Sequence, residues 1–277
     1  MRVLIVGCGY VGQQVARRLS SESCQVFGWV ASPDSARDVA EVGAIPMVGD
    51  AADPQAWSGC SRGWDAVVFT ASTSGGGVEQ YRRIHREALA LALRASDGRP
   101  FIYTSSTSVY GQTDGSWVDE ESVTEPVAAT SRVLLEAEHE VLASGGVVLR
   151  LSGIYGPGRA VYLGKLMEGT AALADGGIRW VNQIHRDDAA AAIVWAVQTG
   201  RSREIFNVTD DEPVRLADLY HWLCVRTGLP FPSIAPGPAA GRRGLTNKRV
   251  SNARIGAAGW RPRHPTFREG YATLLGE

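Results

Sequence analysis

The chain opens with RVLIVGCGYVGQQVARRL, in which an apolar run leads into three glycines and then into a helical pattern. Residues 2–6 have the apolar character of a strand that is buried on both faces. Gly7, Gly9 and Gly12 follow in the pattern G-x-G-x-x-G. Such glycines permit a tight turn, the close approach of a pyrophosphate and close packing of helix on strand. The opening stretch therefore predicts a dinucleotide-binding strand–helix unit, with a glycine turn that binds nothing as the alternative.

Strands and helices alternate through the first half of the chain. Apolar runs predict strands at 2–6, 25–30, 44–50, 65–72, 100–106 and 147–153. Helical patterns predict helices at 12–23, 32–43, 79–95 and 125–143. Repeated strand–helix–strand units with doubly buried strands predict an α/β fold, a doubly wound parallel Rossmann sheet.

The pattern is looser in the second half. It predicts helices at 187–197 and 213–228 and a strand at 204–208. Asp187 or Asp188 is predicted to cap the first of these helices. Residues 154–159 and the Pro- and Gly-rich stretch 231–244 are predicted to be loops.

The residues after the second predicted strand bear on which dinucleotide binds. NAD sites usually place a carboxylate there for the ribose 2′-OH, but residues 29–33 contain no carboxylate, and the first one after the strand is Asp34. Ser32 can donate a hydrogen bond and Arg37 can reach a 2′-phosphate, so the cofactor is NAD or NADP with NADP mildly favoured. A solvated Arg37 is the alternative. Asp50 is a candidate acceptor for the adenine amino group, or simply a loop-capping residue.

Composition limits the expected partners and location. The net charge is −1, which gives no indication of a nucleic-acid or anionic-membrane partner. No apolar run approaches the ~20 residues of a membrane helix. The four cysteines lack CxxC spacing and a nearby histidine pattern, so we expect free thiols in the cytoplasm and no metal site. The expected partner is a small-molecule substrate, and a homodimer remains open.

Lysine is almost absent from the chain. Lys165 and Lys248 are the only two, and every other side chain of fixed positive charge is arginine. An arginine at a position where a lysine is expected is therefore weak evidence of an altered function.

Motifs further along the chain resemble, in order, those of the extended short-chain dehydrogenase/reductase family, which includes nucleotide-sugar epimerases and dehydratases. The matching stretches are VGD at 48–50, YTSSTSVYG at 103–111, LRLSGIYGPG at 149–158, IHRDDAAAAIVWAV at 184–197, IFNVTDDEPVRLADL at 205–219 and AAGWRPRHPTFREGYATLL at 257–275. The resemblance implies an NAD(P)-binding Rossmann domain over 1–154, to which 184–208 return. It also implies a smaller C-terminal substrate domain over 155–183 and 209–277.

The resemblance further implies an NAD(P)-dependent oxidoreductase or an epimerase/dehydratase-like enzyme that acts on a hydroxyl or carbonyl group, with a sugar-like substrate. It assigns catalysis to Ser106 and cofactor binding to Gly7, Gly9, Tyr10, Val11, Gly12, Ser32, Asp50, Ala71 and Arg132.

The chain departs from the family at the Tyr-x-x-x-Lys pair on the helix after Ser106. The family alignment places Ala128 at the tyrosine and Arg132 at the lysine, and no tyrosine occurs between Tyr110 and Tyr155. Arg132 can still hold a ribose, but an arginine does not exchange protons usefully near neutral pH. The resemblance therefore implies an atypical member with a vacant or relocated proton donor.

Several residues are candidates for the relocated donor: Tyr110, Tyr155, His85, His185 and Ser106 itself. Each has a structural alternative, such as a packing role for Tyr155, a core position for His85 and loop capping by Ser106. The other function left open is a catalytically silent NAD(P)-binding sensor or partner-binding protein. A basic group at Arg242, Arg243 and Arg249 suits a phosphate or carboxylate of the substrate, or a solvated surface.

Overall fold

The computed structural model describes residues 1–60, 63–73, 75–235 and 246–276. Within these residues, seven strands form a parallel sheet. In chain order they are β1 (Arg2–Val6), β2 (Gln25–Val30), β3 (Ile45–Val48), β4 (Ala66–Phe69), β5 (Phe101–Ser106), β7 (Val147–Leu151) and β12 (Ile205–Val208). Their order across the sheet is β12-β7-β5-β4-β1-β2-β3. The strand order reverses at β1. This order defines a doubly wound Rossmann sheet and confirms the predicted fold class.

Helices connect the strands of this sheet. They are α1 (Gly12–Ser21), α2 (Pro33–Glu41), α3 (Val78–Arg82), α4 (Leu89–Ser96), α5 (Ala129–Ala143) and α7 (Arg186–Thr199). Buried side chains of α4 and α5, including Leu89 and Val141, pack with Leu4, Phe69 and Tyr103 of the sheet. The amphipathic periods of these helices are thus satisfied by burial against the strands.

Two helices differ from their predicted form. Arg83–Ala88, between α3 and α4, is a π-helical segment, although the pattern predicted one regular helix over 79–95. Helix α5 begins at Ala129 and not near residue 125. Pro126 disfavours a helical conformation at Glu125, and the Glu125 carbonyl lies so close to Gly111 that a Cβ there would be 2.2 Å from it.

The described residues form two compact units. Unit 1 comprises Met1–Ser106, Ala129–Arg150 and Ala189–Phe206. Unit 2 comprises Thr107–Ala128, Leu151–Asp188 and the described residues of Asn207–Glu277. These limits differ from the predicted domains chiefly because 107–128 belong to unit 2. The predicted domains are defined by function, so their boundaries stay a prediction.

Unit 2 contains four short strand pairs: β6 (Trp117–Val118) with β15 (Arg249–Val250), β8 (Gly153–Tyr155) with β11 (Gln183–His185), β9 (Ala172–Ala174) with β14 (Ser233–Ala235), and β10 (Trp180–Val181) with β13 (Val214–Arg215). Its helices include α6 (Val161–Met167), α8 (Leu216–Thr227), α9 (Ala253–Ala257) and α10 (Phe267–Leu275). Part of each predicted loop, 154–159 and 231–244, is therefore strand. The rest of the second loop, from residue 236 on, lies outside the described residues.

No helix in the described part of the chain is both long enough and apolar enough to cross a bilayer.

Candidate functional site

The glycine loop between β1 and α1 has two tightly packed glycines and one open one. Gly7 has φ +88°, and a Cβ there would lie 2.2 Å from the Cα atom of Ala71. A Cβ at Gly12 would lie 2.8 Å from the carbonyl oxygen of Gly7. A Cβ at Gly9 would meet no atom of the described residues within 4 Å. The loop is thus fixed by packing at both ends, and it leaves free space at Gly9 that suits a pyrophosphate.

Hydrogen bonds hold this loop to the neighbouring strands. The backbone N–H groups of Gly7 and Cys8 both donate to the Trp29 carbonyl, at 3.0 and 2.9 Å. Thr70, at the end of β4, donates from Oγ1 to the Gly7 carbonyl at 2.9 Å. Val11, which precedes α1, provides no side-chain cap, and no other described side chain is recorded as capping this helix start. The positive end of this helix is therefore suited to an anionic group.

Cys8 within the loop is a packing residue. It is fully buried, and a Cβ on Gly28 of β2 would lie 2.8 Å from its Sγ atom. Burial raises the pKa of the Cys8 thiol to about 12. The thiol therefore stays protonated and unreactive at neutral pH.

Residues after β2 and β3 make local contacts. Ser32 precedes α2 and its Oγ atom accepts from the Ser35 N–H at 3.4 Å. Asp50 accepts from the Ala52 N–H at 2.9 Å and forms an ion pair with Arg83. The bond from Ala52, and then Arg83, lower the pKa of the Asp50 carboxyl. Asp50 thus performs the loop-capping role, and its contact with adenine stays a prediction.

Ser106 is the last residue of β5 and is half-buried. The residue before it, Ser105, donates from Oγ to Glu138 Oε1 at 2.5 Å. Glu138 in turn binds the Arg150 guanidinium, with Oε2 2.7 Å from Nη2. A buried ion pair thus anchors the strand end that carries Ser106. Arg132 is exposed in the first turn of α5, and Ala128 stands just before that helix. The roles assigned to Ser106 and Arg132 stay predictions.

Tyr110 and Tyr155, the two tyrosine candidates for proton transfer, are both buried in unit 2. Tyr110 donates from its hydroxyl to Asn207 Oδ1 at 2.8 Å. Tyr155 stacks on Tyr271 with ring centroids 4.7 Å apart, and its hydroxyl has no hydrogen-bond partner among the described residues. Burial raises the pKa of Tyr155 above its ordinary value. This environment favours the packing role of Tyr155, and its proton-donor role stays a prediction.

The two histidine candidates are buried and neutral. His85 lies in the π-helical segment, with Nδ1 2.9 Å from the Tyr103 hydroxyl. Burial lowers the pKa of His85 to about 4. His185 accepts at Nδ1 from the Asp187 N–H at 3.3 Å, and burial followed by the nearby His264 lowers its pKa to about 4. Both side chains have the surroundings of core histidines.

The Asp188 side chain joins the start of α7, through hydrogen bonds, to residues 263–264, which are distant in the sequence. Helix α7 begins at Arg186, so the predicted capping role of Asp187 or Asp188 is wrong in position: both lie inside the first turn. The Asp188 carboxylate accepts from the Arg263 N–H at 2.8 Å and the His264 N–H at 3.0 Å. His264 Nδ1 is 2.7 Å from Oδ2 of Asp188.

His185, Asp188 and His264 have potential metal-ligating atoms within 4.8 Å of one another. Both oxygens of Asp188 already accept hydrogen bonds from the 263–264 segment, and His185 Nδ1 accepts from a backbone N–H. We interpret the group as a hydrogen-bonded junction. Sequence reasoning did not find it because Asp188 and His264 are far apart in the chain.

Lys248 was also not among the predicted site residues. Its side chain is 6% exposed, and Nζ donates to the Tyr110 carbonyl at 3.1 Å and to Thr246 Oγ1 at 2.9 Å. Burial, and then the nearby Arg179, lower the pKa of Lys248 to about 8. The scarcity of lysine in the chain was the signal that could have identified this residue.

The predicted basic group is only partly visible. Arg242 and Arg243 lie outside the described residues. Arg249 donates from Nε to the Gly115 carbonyl at 2.9 Å, and its guanidinium lies 5.1 Å from the ring centroids of Trp117 and Trp180. This arginine is therefore part of an aromatic stack.

The parallel sheet and the glycine loop at the end of β1 define a Rossmann-type dinucleotide-binding protein. Residues 3–209 match the model of the NAD dependent epimerase/dehydratase family. The chain belongs to this family.

Two relatives each match two thirds or more of the chain. Protein YeeZ of Escherichia coli strain K12 is 34% identical over 221 residues, which are 75% of this chain and 77% of YeeZ. A 3-diazoavenalumate denitrifying reductase of Streptomyces sp is 30% identical over 209 residues, which are 68% of this chain and 64% of that protein.

Solved structures match the whole chain. A conserved protein of unknown function from Silicibacter pomeroyi has a TM-score of 0.79 at 28% identity, over 99% of this chain and 98% of that one. The dTDP-glucose 4,6-dehydratase of Bacillus anthracis, solved in complex with NAD, has a TM-score of 0.84 at 17% identity, over 100% of this chain and 96% of that one. The second similarity supports the fold alone.

Proposed function

We propose that the protein is an NAD(P)-dependent oxidoreductase or epimerase/dehydratase-like enzyme that acts on a hydroxyl or carbonyl carbon of a small molecule. The observation that carries this proposal lies within unit 1. The open position at Gly9 and Ala71, which lies beside Gly7, follow the carboxyl ends of the parallel strands β1 and β4, and Ser106 is the last residue of β5. Ligands of doubly wound sheets bind at this edge.

Different residues of the chain would bind different parts of the cofactor. The loop at Gly9 and the uncapped start of α1 would hold the pyrophosphate, because both present space and partial positive charge to an anion. The Arg132 side chain would bind a ribose hydroxyl. Ser32 and the exposed Arg37 would face the adenosine ribose, and their lack of negative charge is compatible with a 2′-phosphate. Bound NAD(P) supplies the donor or acceptor of a hydride.

Ser106 would polarise the reacting oxygen of the substrate. A hydroxyl can donate one hydrogen bond to a carbonyl oxygen on which negative charge develops. The hydrogen bond of Ser105 to Glu138 and the ion pair of Glu138 with Arg150 restrict motion of this strand end. A fixed donor needs no reorganisation during the reaction, which is why such an anchor favours catalysis.

The family and the relatives support a small-molecule substrate with a reducible or oxidisable carbon. The matched family consists of NAD-dependent epimerases and dehydratases, and the Streptomyces relative is named as a reductase. A sugar-like or nucleotide-linked substrate is the class we propose.

Single-turnover hydride transfer tests the proposal. The protein is mixed with stoichiometric NADH or NADPH and a panel of carbonyl compounds and nucleotide sugars, and absorbance of the reduced nicotinamide is followed. We expect loss of absorbance with at least one panel member. Ser106→Ala should slow the transfer, and Ser21→Ala, at the exposed end of α1, should not. Absence of hydride transfer in both directions across the panel would contradict the proposal.

The same experiment distinguishes the proposed enzyme from the second candidate function, a catalytically silent NAD(P)-binding sensor. The family resemblance implies that Ala128 stands at the position of the family tyrosine, which a cofactor-binding sensor can lack without loss of its role. Tight binding of NAD(P)H with no transfer, together with a protein response that differs between the oxidised and reduced cofactor, would support the sensor.

A further inference from the structure

We propose that the Arg83 guanidinium and the Asp50 carboxylate together recognise one edge of the adenine ring of the dinucleotide. Asp50 accepts a hydrogen bond from the N6 amino group, and Arg83 donates one to N7. This inference rests on the NAD(P) binding of the proposed function and not on the hydride transfer. It gives Arg83 a contact that the family resemblance does not imply. Every residue on which it depends lies in unit 1.

Hydrogen bonds connect the backbone before Asp50 to the glycine loop through one residue, Trp29. The Trp29 carbonyl accepts two N–H bonds from that loop, and its indole Nε1 donates to the Gly49 carbonyl at 2.7 Å. Because β1, β2 and β3 are adjacent parallel strands, the ends of β1 and β3 are about two strand spacings, ~10 Å, apart. The adenosine ribose of such sites is bound after the second strand. With the pyrophosphate at Gly9, the adenine is therefore expected beyond β2, at the end of β3.

Two tryptophans fix the backbone on both sides of Asp50. The indole of Trp29 binds the Gly49 carbonyl, and Nε1 of Trp57 donates to the Ala51 carbonyl at 2.9 Å. The two indole rings pack with centroids 4.3 Å apart. A recognition group on a fixed backbone loses little conformational freedom when a ligand binds.

The Asp50 carboxylate and the Arg83 guanidinium both have hydrogen-bonding capacity for a ligand. Asp50 accepts from the Ala52 N–H at Oδ1, at 2.9 Å, and from Arg83 Nη2 at Oδ2. Each carboxylate oxygen has a further lone pair, and a guanidinium has several N–H groups besides the one that Asp50 uses. Both side chains are 46% exposed. The bond from Ala52, and then Arg83, lower the pKa of the Asp50 carboxyl, so it is an acceptor at neutral pH.

This pair presents an acceptor and a donor side by side, because the two groups are hydrogen-bonded to each other. Adenine has a donor at N6 beside an acceptor at N7, an edge that asparagine or glutamine recognises with one oxygen and one N–H. Asp50 and Arg83 supply the same two groups from two side chains. Hypoxanthine has an oxygen in place of the amino group and would direct an acceptor at the carboxylate. The pair should therefore prefer adenine.

The place of Arg83 in its helix also supports a role in binding. Arg83 is the first residue of the π-helical segment between α3 and α4, and such segments are rare and are often found at functional sites. An ion pair as exposed as that of Asp50 and Arg83 adds little to stability. Ligand recognition gives this pair a role that stability does not.

Competition binding measures the base preference without turnover. NADPH is bound to the wild type, and its displacement by adenosine, inosine or 7-deazaadenosine 5′-diphosphate is followed by nicotinamide fluorescence. Inosine carries hypoxanthine, and the 7-deaza base lacks N7. We expect the adenosine compound to bind about tenfold more tightly than either analogue. Equal affinities for the adenosine and 7-deazaadenosine compounds would overturn the role of Arg83.

Two variants separate the two contacts. Arg83→Met keeps the length of the side chain but has no N–H group, so the difference between the adenosine and 7-deazaadenosine compounds should vanish. Asp50→Ala leaves Arg83 at the base edge. Arginine binds an edge with oxygen beside N7 well, so the inosine compound should then bind at least as tightly as the adenosine compound. Arg82→Ala, which breaks an exposed ion pair with Glu79, is the matched control and should retain the wild-type affinities.

The outcomes distinguish this inference from the proposed function. If no panel member is reduced or oxidised but the base preferences are as described, the inference stands and the proposed enzyme fails. If the wild type transfers hydride and Arg83→Met binds all three diphosphates as the wild type does, the proposed function stands and Arg83 is only a surface residue. If Arg83→Met weakens NADPH but not NADH or the adenosine compound, Arg83 binds the 2′-phosphate and the inference is overturned.

Discussion

The Glu138 carboxylate and the Arg150 guanidinium form an ion pair inside unit 1, with side chains that are 1% and 4% exposed. Nε and Nη2 of Arg150 both donate to Glu138, and Ser105 donates to the same carboxylate. Each charge is therefore satisfied by the other, and loss of either would leave a buried charge alone.

We expect Glu138→Ala to lower the free energy of unfolding by about 3–5 kcal/mol, because it leaves the Arg150 cation buried without a partner. The measurement is equilibrium urea unfolding followed by circular dichroism. Glu136→Ala is the control on the same helix, since Glu136 forms an exposed ion pair with Arg86 and should change stability by less than about 1 kcal/mol. Equal effects of the two changes would contradict the burial argument.

Two of the three glycines of the loop, Gly7 and Gly9, should respond differently to alanine. Gly7→Ala places a methyl group against Ala71 at a positive φ, and we expect a loss of about 1–3 kcal/mol of stability. Gly9→Ala adds a methyl group in open space, so stability should hold while NADPH binds about tenfold more weakly, a change of about 1.4 kcal/mol. Thermal unfolding and fluorescence titration with NADPH check the pair. Unchanged affinity in Gly9→Ala would argue against a pyrophosphate at this position.

Stability should fall in mild acid because His85 is buried as the neutral form. Its folded pKa of about 4 is below the ordinary histidine value of 6.5, so the unfolded chain binds the proton more readily. The contribution of neutral His85 to the free energy of unfolding is present above pH 6.5 and is lost as pH falls from there toward 4. We expect a loss of about 2 kcal/mol between pH 7 and pH 5 from this residue.

Urea unfolding at the two pH values measures this change. His85→Gln should reduce the difference, and a remainder is expected because the pKa of His185 is lowered in the same direction. His139→Gln, at an exposed position of α5, should leave the pH dependence as in the wild type. An unchanged difference in His85→Gln would contradict the assignment.

Tyr155 and Gly270 should behave as a coupled pair. A Cβ at position 270 would lie 1.8 Å from the Tyr155 hydroxyl oxygen, so Gly270→Ala should cost about 1–3 kcal/mol. Tyr155→Phe removes both that contact and a buried hydroxyl without a partner. The phenylalanine should therefore not destabilise the wild type, and it should partly restore Gly270→Ala. A double-mutant cycle in urea measures the coupling.

Hydride transfer in the same Tyr155→Phe variant tests the catalytic role of this tyrosine. We expect the rate to stay within a few-fold of the wild type, since the hydroxyl is enclosed among aromatic rings. A fall of ~10²-fold or more would be the effect of losing a general acid and would support Tyr155 as the proton donor.

The first half of the fold could be predicted because its signals are local. Runs such as 3–6 and 66–69 are apolar throughout, and the helices between strands repeat their apolar residues at helical spacing. The strands of unit 2 that are two or three residues long are too short for an alternation of apolar and polar residues to be recognised in the sequence. The π-helical turn at 83–88 was missed because it keeps His85 and Ala88 buried, as a regular helix pattern also does.

The site was harder to predict because its contacts join distant residues. Lys248 meets Tyr110, and Asp188 meets His264, through hydrogen bonds that no spacing in the sequence indicates. The glycine loop was the exception, since all its parts lie within one strand–helix unit. Location in the cytoplasm, a homodimer and a preference for NADP stay predictions.

Unit 1 is built from three separate stretches of the chain. It therefore cannot be complete until the last of them has been synthesised. Its last stretch ends at Phe206, after two stretches of unit 2 have already been made. At ~5–20 residues per second, the ribosome needs about 10–40 s to pass from the first strand to that residue. From the synthesis of β7 until that of β12, the edge of the sheet that β12 completes stays open to other strands.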